Sequence, residues 1–98
     1  MKTRMIRLKD VPQKIGKKRS STLEDVKNGL LPRPIKCGSR ATGIQEHELE
    51  AVMVARAAGQ PDSVIRQLVQ ELEAKRQLAW QELRHSLVTA GEKGADNE

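Results

Sequence analysis

Glycines and prolines divide the first sixty residues of this chain into short segments. Gly16 and Asn28-Gly29 each follow a stretch whose apolar residues recur every three or four positions, so each predicts the end of a helix. Residues 32–34, Pro-Arg-Pro, require an extended path. Residues 59–61, Gly-Gln-Pro, separate a third helical stretch from a longer one. The chain is therefore predicted to begin with small elements and to end in one long helix.

Two short helices joined by a turn are predicted before residue 30. Leu8, Val11 and Ile15 form the apolar stripe of the first helix, which ends at Gly16. This is the helix-turn-helix arrangement.

The second of these helices carries the capping-box pattern, since Glu24 follows Ser21 by three residues. Leu23 and Val26 are expected to point inward, and Thr22 is a candidate to join them. A start of the helix near Ser21 is therefore expected.

A basic hairpin is predicted after the prolines. Residues 35–37 and 42–44 suit two short strands, and the Gly-Ser-Arg turn at 38–40 joins them. Because Lys36 and Arg40 lie on it, this hairpin has the sequence character of a basic wing.

A third helix is expected over residues 45–58, and a long one follows over residues 63–89. The long helix carries one broad apolar stripe, more than a small domain can cover. The stripe consists of Ile65, Leu68, Val69, Leu72, Ala79, Trp80, Leu83 and Leu87.

The expected fold is mainly α. It comprises a small winged helix-turn-helix domain over residues 1–59, with a short β-hairpin wing, and an added long amphipathic helix over residues 60–90. Residues 1–7 read as a flexible or weakly extended lead-in, and the polar residues 91–98 as a disordered tail.

Positive charge is concentrated in the first forty residues. They hold twelve Lys or Arg against three acids, a net charge of +9, whereas residues 41–98 hold six against ten, a net charge of −4. This asymmetry favours a polyanionic partner for the N-terminal part, with nucleic acid first among the candidates.

Other classes of function find little support. No apolar run is long enough for a membrane span or a secretory signal. The single cysteine, Cys37, forms no internal disulfide, which fits a reducing cytoplasm. His47 and His85 lack companions at metal-ligand spacing, and no phosphate-binding glycine loop or nucleophile–base set is visible. We expect a cytoplasmic, nucleoid-associated protein that is not an enzyme and uses no metal or cofactor.

Two blocks in the order GLLPRPIK (29–36) and GSRATG (38–43) are similar to the G-x-F-P-x-P-x-K and G-x-R-A-x-G blocks of one family. IRLKDV (6–11) and the stretch 16–21 resemble that family's opening helix and turn. The chain from residue 6 to 56 thus resembles the AlpA family of phage and prophage regulatory proteins, related to excisionases and MerR-type winged helices.

The resemblance implies a small winged helix-turn-helix protein that regulates transcription or directs recombination. Residues 19–21, Arg-Ser-Ser, would then begin the recognition helix, and Arg33, Lys36 and Arg40 would lie around the wing. The family usually has aromatic residues where this chain has apolar, non-aromatic ones, so the fold survives. Those positions are Leu23, Leu31, Ile44 and Val52.

The residues themselves also suit DNA. A helix in the major groove reads base edges with polar side chains near its start, while Lys and Arg contact phosphates and Arg40 enters the minor groove. The candidate contacts are Lys17, Lys18, Arg19, Ser20, Ser21, Glu24, Lys27, Arg33, Lys36, Ser39 and Arg40.

The leading hypothesis is a sequence-specific DNA-binding transcriptional regulator of phage or mobile-element type. One alternative is an excisionase-like directionality factor that bends DNA at attachment sites, and another is a protein-interaction adaptor that uses the C-terminal helix. Expected partners are double-stranded DNA and, by role, integrase or RNA polymerase. A second copy is expected to bind through Ile65, Leu68, Leu72, Trp80, Leu83 and Leu87.

Overall fold

The computed structural model describes residues 4–96, with side chains described through residue 89. No helix in this part is both long and apolar enough to cross a membrane. The expected fold, mainly helical with a small antiparallel sheet and a long last helix, is confirmed. In chain order, the elements are β1 (Met5–Arg7), a 3₁₀ turn (Leu8–Asp10), α1 (Val11–Ile15), α2 (Arg19–Lys27), β2 (Ile35–Lys36), β3 (Thr42–Gln45), α3 (Glu46–Ala57) and α4 (Asp62–Asp96).

The helix-turn-helix is formed by α1 and α2. Val11 is fully buried at the start of α1, and Pro12 occupies the first turn, where its missing N–H costs little. Gly16 ends α1 with a φ of +69°, and the amide of Lys17 donates to the carbonyl oxygen of Pro12 at 2.9 Å. The glycine thus permits the tight turn into α2.

The predicted capping box is wrong, because α2 begins at Arg19 and Ser21 is already its third residue. Lys18 occupies the N-cap position, and no side chain caps it. The carbonyl oxygen of Lys18 instead accepts two bonds from Thr22, one from the amide and one from the hydroxyl, each at 2.9 Å.

This earlier start determines which side chains of α2 point inward. Thr22 is buried, with 1% of its surface exposed, whereas Leu23 is 43% exposed. The expectation that Leu23 points inward is therefore wrong. Val26, predicted to point inward, is half-buried against the core.

The sheet has the order β1-β3-β2, and both pairings are antiparallel. The predicted hairpin, here called the wing (residues 35–45), is confirmed, and the amide of Cys37 donates to the carbonyl oxygen of Ala41 at 2.7 Å to close its loop. The lead-in over residues 1–7, expected to be flexible or weakly extended, is extended at Met5–Arg7, and these residues form β1 because β3 offers them a free edge. Residues 1–3 lie outside the described part of the chain.

Gly43 is the residue that lets β1 approach β3. A Cβ atom at this position would lie 2.6 Å from the carbonyl oxygen of Ile6, a distance no real contact tolerates. Since the neighbouring atom belongs to the backbone of β1, it cannot move aside without disturbing the strand pairing.

A single hydrophobic core joins the two halves of the chain. The first half of α4 buries Ile65, Val69 and Leu72 in this core. All three belong to the predicted apolar stripe of the helix. The buried core consists of Val11, Leu30, Leu31, Ile44, Leu49, Val52, Ile65, Val69 and Leu72.

The last helix is longer than the helix that was predicted from its apolar stripe. It runs to Asp96 rather than ending near residue 89, so the disordered tail expected over 91–98 is corrected for residues 91–96. No proline interrupts this stretch, and alanine, glutamate and lysine favour helix enough to accommodate isolated glycines. Residues 97–98 lie outside the described part.

Polar contacts attach α4 both to the end of α2 and to the segment just before the wing. The Nε of Arg66 donates to the carbonyl oxygen of Asn28, at the end of α2, at 2.9 Å. An Oε2 of Glu73 accepts from the amide of Arg33, just before the wing, also at 2.9 Å. The helix therefore links the end of α2 to the start of the hairpin.

A buried ion pair joins α4 to α3. Arg76 donates to both carboxylate oxygens of Glu48, from Nε at 2.7 Å and from Nη2 at 2.6 Å. Glu48 is 1% exposed, so Arg76 is the partner that balances its buried charge.

The substitution Gly43→Ala is expected to lower the free energy of unfolding by about 1 to 3 kcal/mol, because the added methyl overlaps the β1 backbone. Thermal unfolding should show a Tm lower by at least about 4 °C. Gly38→Ala is the control: no atom lies within 4 Å of its Cβ site, and the Tm should stay unchanged. Equal effects of the two changes would contradict the packing argument.

Replacing Arg76 by Ala is expected to cost about 3 to 5 kcal/mol, because it leaves the Glu48 carboxylate buried and unpaired. Urea unfolding measures this loss, with the exposed Arg84→Ala as a charge-matched control. A loss below about 0.5 kcal/mol, the range of ordinary surface changes, would show that the pair is not needed.

Candidate nucleic-acid interface

All eleven candidate DNA contacts are exposed on the surface of the fold. They lie in three places: on the turn and α2, just before β2, and on the wing. Exposure alone does not show that these residues share one surface. The residues that line a concavity with each of them show which ones do.

The outward face of α2 is polar at its start and apolar in the middle. Arg19, Ser20 and Glu24 are exposed there, and Leu23 lies between them along the helix. Arg19 and Leu23 line a concavity of about 200 Å³ together with Lys9 of the 3₁₀ turn. The helix therefore presents a mixed polar and apolar surface with a positive charge at each side.

The wing borders a second concavity. Arg40, at the tip of the hairpin, lines a space of about 180 Å³ together with Arg7 and Lys9. Leu8 and Lys9 line both concavities, so the 3₁₀ turn lies between α2 and the wing. Arg19 and Arg40, twenty-one positions apart in sequence, thus flank one continuous surface.

The start of α2 adds a further anion-binding feature. No described side chain caps this end of the nine-residue helix, so the first amides are not engaged by a capping group. Helix N-termini carry partial positive charge and orient N–H groups toward a bound anion, which suits phosphate.

Three of the sequence-predicted cations lie elsewhere. Lys17 forms an ion pair with Asp25 at 2.5 Å, so its charge is balanced within the chain. Arg33 and Lys36 line a separate cleft between the wing and α4, with Lys75 on its opposite wall. This cleft is a second basic surface, distinct from the one beside α2.

Sequence reasoning missed Arg7, Lys9 and Leu23. Both cations belong to the strongly basic N-terminal part of the chain. Arg7 was assigned to a flexible or weakly extended lead-in and Lys9 to the start of the first helix, and neither assignment placed the residue beside the wing. Leu23 was assigned to the core because the capping-box pattern indicated a later helix start. The structure places the N-cap at Lys18, which no favoured capping residue marks in the sequence.

No group of three potential metal-ligating side chains occurs among the described residues. The thiol of Cys37 is free and exposed. Nothing in the described part therefore supplies a built metal centre.

A short helix pair followed by a β-hairpin, with a polar and basic face on the second helix, defines a small winged helix-turn-helix protein. Residues 4–56 match the family described as "Prophage CP4-57 regulatory protein (AlpA)", and the chain belongs to the AlpA family. This family consists of prophage regulatory, DNA-binding proteins. The match ends before α4, which lies outside the shared region.

Comparisons with curated proteins and with solved structures gave no significant match.

Proposed function

We propose that the protein is a sequence-specific, DNA-binding transcriptional regulator of phage or mobile-element type. In this proposal α2 enters the major groove of duplex DNA and the wing lies against the adjoining strand. The single observation that carries it is the shared surface of α2 and the wing tip, with Lys9 between Arg19 and Arg40.

Base reading is assigned to the first two turns of α2. Arg19 suits a guanine, whose O6 and N7 accept bidentate bonds, while Ser20, Ser21 and Glu24 offer shorter polar contacts to base edges. Leu23, exposed in the middle of this face, suits the methyl group of thymine.

The remaining cations are assigned to the DNA backbone. Arg40 and Ser39 lie on the loop of the wing, and Arg40 contacts the phosphate backbone at the edge of the minor groove beside the helix. Lys18 and Lys27 contact phosphates along the borders of the groove. Lys17, Arg33 and Lys36 lie away from the surface shared by α2 and the wing tip. They contribute to the positive electrostatic field around the DNA rather than to direct contacts.

Excision of an integrated element is the alternative role for the same DNA-binding surface. A regulator acts with RNA polymerase at a promoter, whereas an excision factor bends DNA beside integrase at an attachment site. A promoter reporter and an excision substrate, each tested with the protein supplied in trans, separate the two roles.

Arg19→Ala is expected to weaken binding to a selected duplex by about tenfold or more and to relax the preference at one base pair. Ser21→Ala should weaken binding less. Arg40→Ala should lower the slope of log affinity against log salt by about 0.9, because one phosphate-neutralising charge is lost. Binding-site selection followed by gel-shift assays over a salt series measures all three effects.

The control for this series is Arg84→Gln, which removes the same charge from the far half of α4. If Arg19→Ala, Ser21→Ala and Arg40→Ala all bind DNA as the control does, the assignment of α2 and the wing is wrong. If the wild-type protein shows no salt-sensitive binding to DNA, the result favours the hypothesis of a protein-interaction adaptor.

We also propose that a second copy covers the α4 overhang, defined as residues 77–89. The predicted contact set is corrected here: Ile65 and Leu72 lie in the chain's own core, and Leu68 is half-buried against it. The stripe nevertheless continues on the same face as Trp80, Leu83 and Leu87, each more than half exposed.

Charge and area both bear on what covers this stripe. The overhang carries one acid, Glu82, and one base, Arg84, so two copies approach it without net repulsion. Trp80, Leu83 and Leu87 bury roughly a few hundred Å² per copy, well under the roughly 800 Å² of a stable interface. The dimer is therefore weak alone and is strengthened where two half-sites hold both copies on one duplex.

Leu83→Glu is expected to abolish this self-association, because it places a charge in the apolar stripe. Sedimentation velocity over a concentration series should show a rising average mass for the wild type and a constant mass for the variant. Trp80, the one tryptophan, should show red-shifted fluorescence as the wild type dissociates. The matched control is Leu78→Glu, since Leu78 is 56% exposed and lies about 160° around the helix from Trp80. A wild type that stays monomeric throughout, or equal effects of both variants, would refute the proposal.

A further inference from the structure

We infer that Arg7, Lys9 and Arg40 form a clamp for one phosphate of the DNA backbone, located between the groove that receives α2 and the groove that receives the wing. The inference rests on the proposed DNA-binding function and adds a contact that comes from the N-terminal strand. The three residues line one open concavity of about 180 Å³, which has room for a phosphate group.

The clamp depends on the pairing of β1 with β3. Arg7 is opposite Gly43 in this pairing, and the missing side chain of Gly43 allows the two backbones to meet. The 3₁₀ turn that follows β1 directly places Lys9 between α2 and the wing. A strand of three residues thus brings two charges to a surface otherwise built from α2 and the wing.

The charges of the clamp lack counter-ions among the described residues. Asp10 and Glu46 share a neighbouring concavity with Arg7, yet neither forms an ion pair with it, and Glu46 pairs with Lys14. Three cations around one small space repel one another, so a bound anion is strongly favoured there.

The position of the clamp selects the source of that anion. On B-DNA the sugar–phosphate backbone separates the major groove from the minor groove. The 3₁₀ turn separates α2 from the wing in the same way. A phosphodiester of the duplex therefore meets Lys9 when α2 and the wing occupy adjacent grooves.

The test uses the full-length protein, a duplex recovered by site selection, and the variants Arg7→Gln and Lys9→Gln. Each variant is expected to weaken binding about tenfold on every sequence, with base preference unchanged. Each should also lower the salt slope, but by less than about 0.9, because two cations remain beside the same phosphate. Phosphate-ethylation interference should show one strong phosphate position in the wild type that loses its effect in both variants. Arg84→Gln serves as the charge-matched control, and thermal unfolding checks that each variant is folded.

The outcomes separate this inference from the proposed function. If Arg19→Ala weakens binding while Arg7→Gln and Lys9→Gln match the control in slope and interference pattern, the clamp is wrong and the DNA-binding function stands. If the wild type binds no duplex, the proposed function fails first. A slope change without loss of the ethylated position would also overturn the clamp, because the charges would then act only through the general field.

Discussion

The close approach of β1 to β3 at Gly43 is the constraint on which the candidate interface depends. β3 is the central strand, pairing with β1 on one side and β2 on the other, and its Ile44 is fully buried in the core. One edge of β3 therefore pairs with β2 to form the wing, and the other pairs with the N-terminal strand β1. Because the 3₁₀ turn follows β1 directly, the same pairing determines the spacing between α2 and the tip of the wing.

The first half of α4 holds α2 and the wing, the two parts of the candidate interface, in a fixed relation. It contacts the end of α2 through Arg66, the approach to the wing through Glu73, and α3 through Arg76. A DNA-binding surface made from separate elements needs such a brace, since phosphate contacts position a protein only when their spacing is rigid. The second half of the same helix leaves the domain and carries its apolar stripe into solvent.

Local signals predicted much of this fold, and non-local interactions account for most of what was missed. The helix-turn-helix and the hairpin have glycines at their turns, so each could be placed from a few adjacent residues. β1 has no such signal, because three residues become a strand only when β3 offers an edge. Leu23 was misassigned for a local reason: the Ser21–Glu24 pattern indicated a later helix start, whereas α2 begins at Arg19 and buries Thr22 instead. The domain covers α4 as far as Leu72 and leaves Trp80 exposed. This boundary depends on the size of the folded domain, which the apolar pattern of the helix does not contain.

The central claim is that the outward face of α2 meets DNA with the wing beside it. The most direct test is an NMR titration of the ¹⁵N-labelled full-length protein with a duplex recovered by site selection. The account predicts that the largest amide shifts fall in residues 19–27 and in the wing loop, residues 37–41, with smaller shifts in α3 and in the α4 overhang. Shifts confined to α3 and α4, with α2 unchanged, would contradict it.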